Sequence, residues 1–393
     1  MTLQYIEGFE GWSRPEPYYL QGAGGSFVVD IGGGRFGGTA LANFTSGGGE
    51  VYQMLPAFYG FAGISSAGGS NYYWEEAAVL GFAYKFSPGG KPSTIVRWKD
   101  LHPENGIINQ IELGKNANDI LTISCNGSLL ASGKTPMFTN RYYYIEWKCR
   151  LRSKVTTIPF FGSTGAPDHP AAHSNQVRLD GAFECEVPAG VAVGNVPSPG
   201  YYPVGAPRVS AYVARLGKFY LNYDQFQTTN HWDDFYICDQ AGTDSNDFLG
   251  DISVNHLAVD LSGASPTAGN DSWALVTGSS KNNAVSEIPP DADASYIAAR
   301  SAGARQTFFF PDMKANSLAI PGVSLTAIAR KDDIGTKTLD AVLKVGSDVV
   351  ITPSSLLGDL YKPMAFGAGR APDGTAWTES AVNSLEAGVK LDA

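Results

Sequence analysis

The clearest pattern along the chain is strict alternation of apolar and polar positions. From Tyr142 to Leu151, Tyr143, Ile145, Trp147, Cys149 and Leu151 point one way. Tyr142, Tyr144, Glu146, Lys148 and Arg150 point the other. A period of two is that of a strand with one face on a core and one in solvent. Residues 79–86 alternate likewise, and Ile95 to Trp98 and Gln110 to Leu113 read as shorter strands. Leu121, Ile123 and Cys125 share a face, and Asn126-Gly127 then predicts a two-residue type I′ hairpin turn before Leu129-Leu130-Ala131. In the stretch from His231 to Val254, Phe235 and Ile237 share one face while Tyr236 and Cys238 share the other. Turn formers follow (Gly242, Asp244, Ser245, Asn246, Asp247), and the chain resumes from Phe248 to Val254.

Proline breaks this pattern at residues 153–176 and 188–208, which read as long loops inserted around one strand. Between them Ala182 to Val187 alternates, placing Phe183, Cys185 and Val187 inward. Beyond Val254 the pattern weakens, then strands recur near Tyr296, Phe308, residues 325–330 and residues 340–351, the last turning at Gly346-Ser347. The expectation is an all-β chain with a sandwich over residues 1–254, a linker over 255–284 and a second, smaller β-rich domain over 285–393.

At 393 residues, two domains are the natural division. With 28 basic and 38 acidic side chains the net charge is 28 − 38 = −10, and no basic cluster occurs, which argues against nucleic-acid binding. No apolar run is long enough for a membrane-spanning helix. Met1-Thr2-Leu3 leads directly into polar residues, so we expect no signal peptide and folding in a cytoplasm. The four cysteines, Cys125, Cys149, Cys185 and Cys238, lack a CxxC pair and read as buried free thiols. The glycine clusters before residue 50 have no amphipathic helix after them, so they read as turns and bulges rather than a phosphate loop.

The wording of two stretches adds more. Asp233-Asp234-Phe235-Tyr236-Ile237, followed by Asn246-Asp247-Phe248-Leu249-Gly250-Asp251, resembles a signature of tailed-bacteriophage virion structural proteins. Gly8-Phe9-Glu10, Gly34-Arg35-Phe36-Gly37, and the run from Asp373-Gly374 through Trp377-Thr378 to Val389 match the same family. So do Val285, Glu287, Asp291 and Tyr296, although Ser286 stands where that family usually has Asp. The resemblance implies a concanavalin A-like (laminin-G-like) jelly roll for the first domain. It further implies a virion component, tail- or fibre-associated, contacting other virion proteins, copies of itself and host surface glycans. A capsid decoration or head-fibre protein is the alternative, and a bacterial glycan-binding or glycan-cleaving module a second one.

Candidate chemistry is sparse. A retaining glucanase needs two carboxylates about 5 Å apart on one strand face. Glu184 and Glu186 have part of that spacing, but Pro188 follows where a third carboxylate would stand. We read the pair as the solvated face of an edge strand, and the chain as no enzyme. Glu75 and Glu76 are adjacent and would face opposite ways. His169 and His173 flank Pro170, which argues against a helical metal pair. Asp239, Asp244, Asn246 and Asp247 offer oxygens for Ca²⁺, yet these are also turn residues, so no metal and no cofactor is expected. Tyr72, Tyr73 and Trp74 form a candidate glycan platform. Phe160, Phe161, Tyr201 and Tyr202 are candidate subunit-docking residues within the Pro-rich insertions.

Overall fold

The computed structural model describes residues 3–9, 20–21, 27–43, 49–53, 74–88, 91–102, 106–153, 175–188, 218–223, 229–239, 247–262, 266–288, 290–313, 319–352 and 355–392. The chain is all-β. Its first unit contains β1 (Leu3–Glu7), β2 (Leu20–Gln21), β3 (Phe27–Ile31), β4 (Thr39–Asn43), β5 (Gly49–Gln53), β6 (Trp74–Phe86), β7 (Ser93–His102) and β8 (Gly106–Lys115). It continues with β9 (Ile120–Cys125), β10 (Ser128–Pro136), β11 (Tyr143–Ser153), β12 (Gln176–Leu179), β13 (Ala182–Glu186), β14 (Lys218–Tyr223) and β15 (Asn230–Asp239). One sheet runs β13-β12-β11-β6-β15-β4-β3 with β1 added on β15, and the other runs β10-β9-β8-β7-β14-β5-β2.

The inner faces of the two sheets meet in one apolar core. Leu80, Phe82, Tyr84 and Phe86 of β6 and Tyr143, Ile145, Trp147 and Cys149 of β11 pack there with Trp98, Ile111, Leu121 and Ile123 from the facing sheet. Phe235 and Ile237 join them, as the alternation of β15 requires. Asn126 and Gly127 both take positive φ, 49° and 79°, which fits the type I′ turn between β9 and β10. Asp180 and Gly181 repeat that geometry, at 49° and 79°, between β12 and β13. All four cysteines are buried and free.

Two expectations need correction. A bulge in the β12–β13 pairing, with Val177 opposite Cys185 but Arg178 opposite Phe183, inserts Glu184 as an extra residue. Phe183 therefore turns outward and is 60% exposed, while Glu184 is buried. The Glu184 carboxylate accepts hydrogen bonds from the N–H groups of Lys134 and Thr135, fastening an edge of one sheet to an edge of the other. The second correction concerns β11, whose supposed solvent face is covered: Tyr144 and Glu146 are wholly buried. What covers them is the chain from Phe248 to Val254, which forms no strand and lies as an extended strap across the outer face.

The second unit contains β16 (Ala274–Thr277), α1 (Lys281–Val285), β17 (Tyr296–Ala298), β18 (Arg305–Phe309), β19 (Val323–Ala329), β20 (Thr338–Val345) and β21 (Asp348–Ile351). It ends with β22 (Ser355–Leu356), β23 (Lys362–Ala368), α2 (Glu379–Asn383) and β24 (Leu385–Asp392). Strands β18-β24-β20-β21, with β22 on β20, form one sheet, while β16-β17 and β19-β23 are two-stranded ribbons. The stretch expected as a linker belongs largely to this unit. The Asp260 N–H reaches the Phe309 carbonyl at 2.9 Å, and Thr267 and Asn270 hydrogen-bond Glu386. Burial raises the Glu386 pKa, but hydrogen bonds from Thr307, Thr267 and Lys344 outweigh it and hold the carboxyl at about 2. The units touch where a Cβ on Gly322 would lie 2.3 Å from Leu3 Cδ2.

Candidate functional site

Five of the resemblance-bearing residues, Arg35, Asp233, Asp234, Tyr236 and Asp251, converge on the outer face of the first sheet, at the strap. A bulge between Asp233 and Tyr236 in the β15–β6 pairing lets both Asp233 and Asp234 turn into the protein. Asp234 pays the backbone strain, at φ 49°, a region that Asp tolerates better than most residues. The loop between β3 and β4 brings Arg35 to the pair. Its N–H donates to Asp233 Oδ2 at 2.8 Å, and its guanidinium donates to both oxygens of Asp251 at 2.5 and 2.6 Å. Such a bidentate fork fixes orientation as well as distance. Arg35 Nη1 also donates to the Ile252 carbonyl at 3.2 Å and lies 3.7 Å from Asp234 Oδ2.

The strap is held at every second or third residue. Val254 N–H donates to Asp234 Oδ1 at 2.7 Å, and Gly250 N–H to Glu146 Oε1 at 2.8 Å. The Tyr236 hydroxyl donates to the same Glu146 oxygen at 2.6 Å and accepts from Leu249 N–H at 3.1 Å. Lys148 pairs with Asp247 at 2.8 Å, and the Arg178 guanidinium sits 4.3 Å from the centre of the Phe248 ring. Beneath them, Gly81 is the only residue that β6 could use: a Cβ there would lie 1.9 Å from the Tyr236 ring.

Burial governs the electrostatics. Asp233 and Asp234 are each 2% exposed. Desolvation lifts the Asp233 carboxyl to about 6, and desolvation together with the charge of Asp233 lifts Asp234 to about 7. Burial also raises Glu146, partly opposed by its bonds from Tyr236 and Gly250. These carboxylates face peptide N–H groups, a phenol and a guanidinium inside the protein, and neither Asp233 nor Asp234 lines the large cavity found beside the strap. The chemistry the arrangement can perform is fastening: it clasps the strap, and the unit that follows it, to the sandwich.

The positions singled out from sequence fare unevenly. Trp74 opens β6 opposite Ser153, with its side chain outside the described residues, as are Tyr72 and Tyr73. Phe160, Phe161, Tyr201 and Tyr202 also lie outside them. Asp239 ends β15, Asp244 and Asn246 are not described, and Asp247 is engaged by Lys148. Among the described residues, no group of three or more His, Cys, Asp or Glu side chains is arranged to hold a metal ion. Glu146 escaped the sequence reading altogether. Its signal was an acid between Tyr144 and Lys148 on a face that the alternation assigned to water.

No family model matches this chain, and no curated protein matches it. Among solved structures, the carbohydrate binding module CBM66 from Bacillus subtilis aligns at 12% identity over 56% of this chain and 94% of that one, with a TM-score of 0.29. The alginate lyase AlgAT5, of polysaccharide lyase family 7, aligns at 12% identity over 54% and 82%, with a TM-score of 0.28. The globular domain of T. cruzi calreticulin aligns at 13% identity over 60% and 88%, also at 0.28. TM-scores this low carry no argument about activity. The fold stands on the sheets themselves.

Proposed function

We propose that the chain is a non-enzymatic structural component of a tailed-phage particle, tail- or fibre-associated, that contacts other virion proteins and copies of itself. The observation that supports this reading is where the resemblance-bearing residues go. Arg35, Asp233, Asp234, Tyr236 and Asp251 spend their polar groups on fastening the strap. A protein whose recognisable residues make it one firm block is suited to carrying load in an assembly. Contact with host glycans belongs to the same proposal, with Tyr72, Tyr73 and Trp74 as the residues offered to it.

Immunogold labelling of particles from the source culture, with antibody against the purified chain, tests the reading. Gold on tails or fibres is the expected result. Gold on heads moves the protein to capsid decoration. Unlabelled particles, together with turnover of a polysaccharide by the purified chain that Glu184→Gln abolishes, would replace the proposal with a glycan-cleaving module.

A further inference from the structure

A cavity of 1260 Å³ lies beside two backbone edges that, among the described residues, have no strand partner. Among the described residues, strand β19 pairs with β23 alone and β17 with β16 alone. Every residue from Ala319 to Asp333 lines the cavity, as does every residue from Ser295 to Arg300, whereas no residue of β16 or β23 does. The cavity thus runs along the free edge of each ribbon. Among the described residues, no backbone partner from any other element meets residues 296–298 or 323–329 on those sides.

The walls mix apolar side chains, Leu325, Ala327, Ile297 and Trp273 among them, with charged ones that include Glu287, Arg300 and Lys337. Two polar atoms in the lining are buried and without a hydrogen-bond partner, Ser324 Oγ and Glu287 Oε2. Buried polar atoms are rarely left so, and each such atom asks for a missing partner. The volume exceeds the roughly 300–1,000 Å³ of small-molecule sites. An exposed seven-residue edge is also a liability that proteins normally cover, and a two-stranded ribbon is marginal by itself.

We propose that this cavity is a slot for one extended strand of a different protein chain, which pairs with β17 on one side and β19 on the other. The slot and its chemistry stand on this geometry alone, whatever particle the chain serves. Two open edges call for a peptide backbone, which alone offers N–H and C=O groups on both sides at strand spacing. The apolar part of the lining calls for apolar side chains on one face of that strand. Glu287 calls for a cationic side chain at one end of the inserted strand.

Tethering tests this without depending on high affinity. Asp332 is exposed, lines the cavity just past the end of β19, and the four native cysteines are buried. In the full-length Asp332→Cys chain, a disulfide-linked peptide would be presented at the slot's mouth. The probe is a nine-residue peptide of alternating valine and threonine with a lysine at each end and an added cysteine. Two controls are its scrambled form and a form with proline at its centre. Expected is at least tenfold greater capture of the alternating peptide at equilibrium, with amide exchange slowed in both 296–298 and 323–329. Glu287→Gln should lessen capture of the lysine-ended peptide and leave a serine-ended one unchanged. Equal capture of all three peptides, with no slowed exchange, would overturn the slot. The same amides slowing when the chain alone is concentrated would give the slot to a second copy and overturn the choice of a foreign strand.

Discussion

The Asp233–Asp234 pair makes the most pointed claim at the scale of single residues. Both carboxyls titrate higher in the folded protein, at about 6 and about 7, than the ordinary value near 4. A group raised by folding contributes stability that is fully present below its unfolded pKa and is lost as pH rises through the folded one. The pair should therefore cost stability between pH 5 and 8, on the order of 3 kcal/mol. Urea unfolding at pH 5 and pH 8 measures it. In Asp234→Asn, whose amide keeps the acceptor for Val254 N–H and tolerates the positive φ, that pH dependence should shrink by at least half. Gly81 supports a second expectation. Gly81→Ala drives a methyl into the Tyr236 ring and should cost about 1–3 kcal/mol or more, as overpacking does. Tyr236→Leu in the same chain should recover part of that loss, which a simple loss of strand propensity would not.

Among the elements, a buried glutamate helps hold the strap and another joins the edges of the two sheets. Replacing Glu146 by Ala leaves the Tyr236 hydroxyl and the Gly250 N–H without their acceptor, at a cost of about 1–3 kcal/mol. Amides of Leu249, Gly250 and Val254 should then exchange roughly tenfold faster or more, while those inside β6 stay protected. If all amides accelerated together, the strap would be part of the global core rather than a separately fastened segment. Glu184 holds two N–H groups at the β10–β13 junction, and Glu184→Ala should lower stability by a similar amount, read from the urea midpoint.

For the whole molecule, the clasp makes the two units answer to each other. Arg35 ties the sandwich to Asp251, and Leu3 packs against Gly322 of the second unit. Calorimetry of the intact chain should show one cooperative transition. Arg35→Ala should split it into two, because the bidentate link to Asp251 and the hold on Ile252 go together. A single transition, merely shifted, would mean that the apolar contact alone couples the units.

Local rules carried much of this. Alternation along residues 142–151 and 231–238, and the Asn126-Gly127 turn, determined strands, their inner faces and one hairpin, because period two and positive φ are properties of the chain itself. What alternation could not determine is whether an outer face meets water. Tyr144 and Glu146 sit at solvent positions by pattern and are buried by Phe248 to Val254, roughly a hundred residues later in sequence. Nor could it locate the bulges at Asp233 and Glu184, since an extra residue in one strand is defined only against its partner. Asp239, Asp244, Asn246 and Asp247 likewise read as a turn or an ion loop, and Asp251 only as part of the wording that follows it. Only the fold brought Arg35, more than two hundred residues earlier, to Asp251 and made that acid part of a clasp. Sequence thus set each strand's faces, and long-range contact alone decided which charges were buried, because burial depends on what the rest of the chain lays on top.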